Sequence, residues 1–276
     1  MLDSPFISPS PPDLPPGVRV LTTTRFLPVV AETAPQPFGL ILSKPAINCL
    51  SHEAAWPPAA HPKGAAIEAA FAQHGQPLQN FLPSPPLWLE QVHGIDVAKI
   101  TRDTNIAATR QTPPVADAAV TDTPNVVLAL LTADCLPVVI ADANSAALAV
   151  AHAGWRSLAG GVLENTVRRM SCPTAALMAW LGPAIGPAAF EVGEDVYVAF
   201  DAPHDNEAAA CFAPTGVVGK WHADLYALAR LRLRRLGVSK ISGGTWCTYS
   251  DARRFFSWRR AREDGRMATL AFRDQG

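Results

Sequence analysis

The sequence lacks a dense cysteine framework. Its 276 residues include only five cysteines, an odd number that is spread widely along the chain. Disulfide-stapled domains usually carry even numbers of closely spaced cysteines in short secreted chains. We therefore expect free thiols and a cytoplasmic location.

Charge and long apolar runs are also scarce. Lys and Arg number 23 and Asp and Glu 24, so the net charge is -1 and only 17% of residues are charged. Such a chain has no global field that would attract nucleic acid or an anionic membrane. Apolar runs such as residues 126–131 are far below the ~20 residues that span a bilayer. The sequence therefore favours a small-molecule substrate, with no nucleic-acid or membrane partner.

Hydrophobic residues make up 49% of the chain, which is ample for a core. Residues 1–17 are rich in proline and are expected to form a flexible arm, whereas residues 18–276 are expected to form one domain. Strand patterns occur at 18–23, 126–131, 137–141, 146–151, 175–181, 238–241 and 267–272, and helix patterns at 65–73, 157–170 and 224–236. Because these patterns follow no regular βαβα rhythm, the sequence predicts an α+β fold.

Three segments place a potential metal ligand beside a turn residue or a strand end. They are QVHG with His93, TADC with Cys135 and AHAGW with His152. Two imidazoles and one thiolate suit zinc, and three protein ligands leave the fourth tetrahedral position open for catalysis. On spacing alone, the alternative is two unrelated histidines and a buried cysteine, because no motif such as C-x-x-C links the three.

Two neighbours of these residues are candidates for substrate contact. Arg156 precedes the predicted helix start after His152, where an arginine and backbone N–H groups would bind an anion such as phosphate. The alternative interpretation is that Arg156 is an ordinary solvent-exposed arginine with no ligand. Asp134 adjoins Cys135 and would orient a ligand imidazole, bind a substrate hydroxyl, or only cap a turn.

Longer stretches around these residues resemble the YfiH family, laccase-domain proteins that were once described as polyphenol oxidases and are now regarded as purine nucleoside phosphorylases. The matching stretches are LWLEQVHG (87–94), LTADCLPVVIAD (131–142), AVAHAGWRSLAGGVLENTV (149–167), WLGPAIGPAAFEVGEDV (180–196) and GTWCTYSDARRFFSWRR (244–260). The resemblance implies a single-domain, layered α/β/β/α sandwich with mixed sheets. It also implies that His93, Cys135 and His152 bind a catalytic zinc ion.

The resemblance extends to two further candidate contacts with substrate or phosphate, Gln91 of QVHG and Arg25 of the early Thr-Arg element. The chain departs from the family pattern after Arg25, where Phe26 and Leu27 replace the usual glycine pair. It departs again at Ala184, which replaces a frequent cysteine, and at residues 261–262, which replace the usual Asp-Gly. We therefore expect the rim of the substrate site to differ from that of relatives.

The function that the resemblance implies is zinc-dependent phosphorolysis of adenosine, inosine, guanosine or methylthioadenosine, with deamination of adenosine as a second activity. The small-molecule partners would be a nucleoside and phosphate, and the protein is expected to be a monomer or a weak homodimer.

Three alternatives remain open. A metal-free hydrolase or amidase of a peptidoglycan precursor would use Cys135 as nucleophile and His93 or His152 as base. A copper polyphenol oxidase is less favoured, because no His-x-His pair could help to build a multi-copper cluster. A zinc-stabilised binding module would need a fourth protein ligand such as His222 or Cys247.

Overall fold

The computed structural model describes residues 6–9, 13–24, 62–73, 77–144, 146–262 and 265–274. The first of its sheets has the strand order β1 (Phe6–Ile7), β2 (Val18–Thr23), β14 (Met267–Arg273), β6 (Val127–Thr132) and β3 (Pro86–Leu87). β3 runs parallel to β6, and the other neighbouring strands are antiparallel.

Alternate side chains of β6 enter two different cores. Leu128 and Leu130 lie between the two large sheets, while Val127 and Ala129 pack on the opposite face of their own sheet. Successive strand residues point to opposite faces, so both faces of this strand are covered. This double burial explains why residues 126–131 form a continuous apolar run.

The second sheet has six strands in the order β13 (Lys240–Gly243), β9 (Leu177–Leu181), β7 (Leu136–Asp142), β8 (Leu148–Ala153), β5 (Ala118–Thr121) and β4 (Val97–Ile100). The β13–β9 and β4–β5 pairs are parallel and the remaining pairs are antiparallel. A small antiparallel sheet adds β10 (Glu191–Gly193), β12 (Lys220–Ala223) and β11 (Phe212–Pro214).

Helices cover the outer faces of both large sheets. Phe71 of α1 (Pro62–Gln73) packs with Val127 on the first sheet. On the second sheet, α4 (Val162–Met170) and α7 (Leu225–Arg235) share a core with Val138. The remaining helices are α2 (Ile106–Gln111), α3 (Trp155–Gly160), α5 (Glu194–Ala199), α6 (Asn206–Ala209) and α8 (Trp258–Ala261). The layers therefore run α/β/β/α, which confirms the predicted fold class.

One local prediction needs correction. The helix predicted over 157–170 is broken into α3 and α4 at Gly161, where φ is +100° and the N–H closes the first helix onto Ser157 and Leu158 carbonyls. Glycine accepts this left-handed conformation and so ends the helix. Within the predicted arm, Phe6–Ile7 form β1 against β2, and the buried Phe6 ring stacks at 5.3 Å on Phe71. Phe6 therefore packs on the domain core.

Within the described ranges, none of the helices combines the length and the apolar character that a bilayer crossing requires.

Candidate metal centre

His93, Cys135 and His152 meet at one end of the second sheet. Cys135 immediately precedes β7 and His152 lies near the end of β8, and the antiparallel pairing of Leu136 with Ala153 brings these two ends together. Each of the three residues offers one ligand atom, and the three atoms lie within 4.8 Å of one another. Cys135 Sγ is 3.8 Å from His93 Nε2. The three predicted ligands therefore form one cluster that could hold a metal ion.

The His152 imidazole is buried, with 3% of the residue exposed. Its Nδ1 lies 2.7 Å from Oδ1 of Asp117, and its backbone N–H donates to the Asp117 carbonyl at 2.7 Å. A carboxylate on one ring nitrogen sets the tautomer and leaves Nε2 available as a ligand. Asp117 therefore orients this side chain.

His93 is exposed and lies on a turn. Its φ of +59° is in the left-handed region, which is uncommon for residues other than glycine. The Asp117 carboxylate accepts the backbone N–H groups of Val92, His93 and Gly94 at 3.1, 3.0 and 2.6 Å. The same carboxylate therefore holds both histidines. Sequence reasoning missed Asp117, although an acidic residue at the start of an otherwise apolar strand was an available signal.

The thiol and the imidazole perturb each other. Burial raises the pKa of Cys135, but the charge of His152 and hydrogen bonds with His152 and His93 outweigh it and lower the pKa to about 6. Burial lowers the pKa of His152, but the Cys135 charge and hydrogen bonds with Asp117 and Cys135 raise it to about 9. Burial also raises the pKa of Asp117, yet its bonds from His152 and Gly94 keep the pKa below its usual value. At neutral pH the metal-free cluster therefore holds a thiolate, the form that ligates metals.

The cluster fits a single tetrahedral ion. Ligand atoms around zinc lie roughly 3.5 Å apart, as follows from Zn–S and Zn–N distances of about 2.3 and 2.0 Å. The 3.8 Å between Cys135 Sγ and His93 Nε2 is close to this spacing, and the widest separation in the group, up to 4.8 Å, would shorten on metal binding. Among the residues that the structure describes, no fourth His, Cys, Asp or Glu joins the group. The predicted alternative ligand Cys247 instead accepts the Gly186 N–H at 3.2 Å.

The other candidate residues have different surroundings. Gln91 is paired through its amide with the Leu131 backbone, donating at 2.9 Å and accepting at 2.8 Å, so it attaches the His93 turn to β6. Arg156 is exposed, with Cζ 4.3 Å from the centroid of the Trp155 ring. Asp134 is buried with three donors from residues 248–259, and the carboxylate on a ligand imidazole is Asp117. Arg25 lies outside the described residues.

The fold and this cluster agree with comparisons to known proteins. A family model described as multi-copper polyphenol oxidoreductase laccase matches residues 65–274, so the chain belongs to this laccase-like family. Purine nucleoside phosphorylase YfiH of Escherichia coli K12 is 50% identical over 189 residues, 68% of this chain and 74% of that protein. A purine nucleoside phosphorylase of Xylella fastidiosa Temecula1 is 53% identical over 193 residues, 69% of this chain and 73% of that protein. The predicted membership of the YfiH family is thereby confirmed.

Solved structures extend the similarity over the full chain. Protein NMB0706 of Neisseria meningitidis superposes with a TM-score of 0.76 at 40% identity, covering 99% of this chain and 100% of that one. YlmD of Geobacillus stearothermophilus superposes with a TM-score of 0.73 at 26% identity, covering 99% and 97%. The layered architecture is therefore shared across the family.

Proposed function

We propose that this protein is a zinc-dependent purine nucleoside phosphorylase, which transfers the pentose of adenosine, inosine, guanosine or methylthioadenosine to phosphate. The observation that carries the proposal is the open three-ligand cluster of His93, Cys135 and His152. A catalytic zinc site keeps one position for water or substrate, whereas a structural site fills all four. Relatives named purine nucleoside phosphorylase support the choice of reaction.

The protein side chains have separate tasks in this reaction. Asp117 holds the His152 ring and the His93 turn, so both imidazoles are oriented before substrate arrives. Bound zinc would polarise an oxygen of phosphate or of the sugar. Arg156 stacks on the Trp155 ring two residues after Gly154, where its guanidinium is available to pair with phosphate. Arg25 is a second candidate for phosphate contact.

The donor set favours one ion rather than a copper cluster. Three ligands can hold a single metal, while a multi-copper oxidase needs many more histidines than this cluster supplies. Because two imidazoles and a thiolate also occur in single-copper electron-transfer sites, the bound metal has to be measured directly. We expect zinc, and we expect deamination of adenosine as a side reaction, because the open position accepts water as well as phosphate.

One observation favours a second candidate function. Asp117, His152 and Cys135 form a line of carboxylate, imidazole and thiol, with Asp117 on Nδ1 and a thiol whose pKa is lowered to about 6. This order is typical of thiol hydrolases. A metal-free form would therefore have the groups required for an amidase that acts on a peptidoglycan precursor.

The test uses purified protein with inosine or adenosine, with and without inorganic phosphate. We expect about one zinc ion per chain, and we expect free base and pentose 1-phosphate only when phosphate is present. Cys135→Ala should lose zinc and turnover together, while Cys172→Ala, far from the cluster, should keep both. Base release without phosphate would contradict phosphorolysis, and full activity after chelation would contradict a zinc mechanism and favour a metal-free thiol mechanism.

A further inference from the structure

Asp134 connects the Cys135 turn to a distant part of the chain. Its buried carboxylate accepts hydrogen bonds from Thr248 Oγ1 at 2.6 Å, Ser257 Oγ at 3.0 Å and the Arg259 backbone N–H at 2.6 Å. The three donors lie 114, 123 and 125 residues further along the chain. One side chain therefore joins the residue before a proposed metal ligand to both ends of the segment 248–259, which we term the rim segment.

The conformation of Asp134 is adapted to this role. Its φ is +89°, a left-handed value that Asp and Asn tolerate better than most other residues. Its carbonyl accepts the Ile185 N–H at 2.9 Å, so the backbone is also engaged. Both carboxylate oxygens accept donors from the rim segment, so the side chain has a structural role.

The rim segment is already folded on itself by another residue. The Arg260 guanidinium donates to the carbonyls of Thr248, Tyr249 and Phe255 at 2.7, 2.8 and 2.7 Å. This network shapes the segment internally. Outside the segment, the Thr248 N–H donates to the Ala184 carbonyl at 2.9 Å and the Arg259 guanidinium donates to the Glu191 carbonyl at 3.0 Å. The bonds to Asp134 are the ones that join the segment directly to the turn that carries Cys135.

The rim segment presents two aromatic rings at its ends. Tyr249 is 39% exposed and Trp258 is 45% exposed, and each directly follows a residue that donates to Asp134. Aromatic rings suit contact with a planar ring, and these two are carried by the segment that Asp134 joins to the turn of the proposed ligand Cys135. A shift of the segment would move both rings relative to the metal cluster.

We propose that Asp134 is a positioning residue, which fixes the rim segment against the Cys135 turn so that Tyr249 and Trp258 contact the base of the nucleoside. This inference rests on the proposed function for the identity of the substrate. Asp134 thus acts through the rim segment and has no direct part in binding the metal or transferring the pentose.

Two substitutions separate position from charge. Asp134→Asn tolerates the left-handed backbone and can keep all three contacts, because its oxygen accepts from Ser257 and Arg259 while its amide donates to a rotated Thr248 hydroxyl. Asp134→Gly also accepts the positive φ but removes every contact with the rim segment. Thr248→Val deletes one contact without touching the turn and serves if the glycine variant does not fold.

The readouts are zinc content, hydrogen exchange of the rim segment, and kinetics with inosine and phosphate. In Asp134→Gly we expect zinc to be retained and hydrogen exchange of the rim segment to be faster by about tenfold. We expect the KM for inosine to rise about tenfold. The kcat and the KM for phosphate should stay within about threefold of the natural values. Thr248→Val should act in the same direction to a smaller extent. Asp134→Asn should restore exchange and KM to within about threefold of the natural protein.

Two results would overturn the proposal. An Asn variant as impaired as the Gly variant would mean that the carboxylate charge acts directly. Unchanged exchange in both Asp134→Gly and Thr248→Val would mean that the contacts do not hold the segment. Hydrogen exchange and zinc content do not depend on turnover. If the natural protein shows no phosphorolysis, the proposed function is refuted. These two measurements still decide whether Asp134 holds the rim segment.

Discussion

The two histidines of the metal cluster are held in opposite ways. His152 belongs to the regular strand β8, is buried, and has its ring fixed by a carboxylate. His93 is exposed on a turn with a left-handed backbone. Asp117 is common to both, since it binds the ring of one and the backbone of the other. The comparison indicates that one carboxylate couples a rigid strand to a strained turn.

The first prediction removes each histidine in turn, in protein freed of metal. His152→Ala leaves the Asp117 carboxylate, whose side chain is 0% exposed, without its imidazole partner, so we expect a loss of about 1–3 kcal/mol of unfolding free energy. His93→Ala removes an exposed side chain and should change the free energy of unfolding by less than about 0.5 kcal/mol. Urea unfolding in the presence of a chelator measures the difference.

Both variants should fail to retain stoichiometric zinc, whereas His204→Ala, at an exposed position outside the cluster, should retain it. Equal destabilisation by the two cluster variants would show that burial does not distinguish the two histidines.

The second prediction concerns the protonation of Cys135 in metal-free protein. Burial raises its pKa, but His152 and His93 together lower it to about 6, so the thiolate forms as pH rises through 6. We expect alkylation by iodoacetamide to increase around pH 6 at this residue, and peptide mass spectrometry can follow each cysteine separately. Cys211, whose pKa burial raises to about 11, is an internal control that should react only in alkali.

His152→Ala should move the Cys135 alkylation midpoint upward by more than His93→Ala, because the charge of His152 is the largest of the effects that lower this pKa. Zinc should protect Cys135 at every pH at which it binds. A midpoint near 9 in the natural protein would contradict the thiolate assignment.

The third prediction uncouples the strand from the turn. Asp117→Asn keeps the size of the side chain but replaces one acceptor oxygen with a donor, which then faces N–H groups or the His152 ring. We expect zinc affinity to fall by about 10–100-fold, the usual effect of losing a carboxylate behind a ligand histidine. Competition with a chromophoric chelator measures the zinc affinity. Asp122→Asn, at an exposed position, is the control. An unchanged affinity would mean that Asp117 orients neither histidine.

Seven of the fourteen strands that the structure describes were predictable from local patterns. The strand predicted at 18–23 coincides with β2, and those at 126–131 and 267–272 differ from β6 and β14 by one residue at their ends. β6 and β14 are largely apolar because both of their faces are buried, and that signal is contained within each segment. The strands β10 and β11 were not predicted, because three-residue strands with exposed positions carry no such signal.

The sequence predicted the three residues that cluster in the candidate site but not the residues that support them. The motifs of a known family identify His93, Cys135 and His152 in the sequence. The bonds of Asp117 to residues 92–94 and to His152 span 23 to 35 positions and exist only after the sheets have paired. The same is true of Asp134, for which the sequence suggested a substrate or an imidazole rather than the rim segment. Hydrogen bonds of this range have no local sequence signature.

The smallest expected effect tests how closely the strand and the turn approach. A Cβ on Gly154 would lie 2.9 Å from Cys135 Sγ and 3.1 Å from His93 Cδ2, so Gly154→Ala must push two proposed ligands apart. Overpacking of this kind is moderate in cost, and we expect zinc affinity to fall about threefold to tenfold. Gly160→Ala, at the other end of helix α3, which begins directly after Gly154, meets only Cγ2 of the exposed Ile95 side chain at 2.9 Å, which can move aside. Equal losses of zinc affinity in both variants would assign the effect to the helix. A loss confined to Gly154→Ala would show that the cluster tolerates little displacement between its strand and its turn.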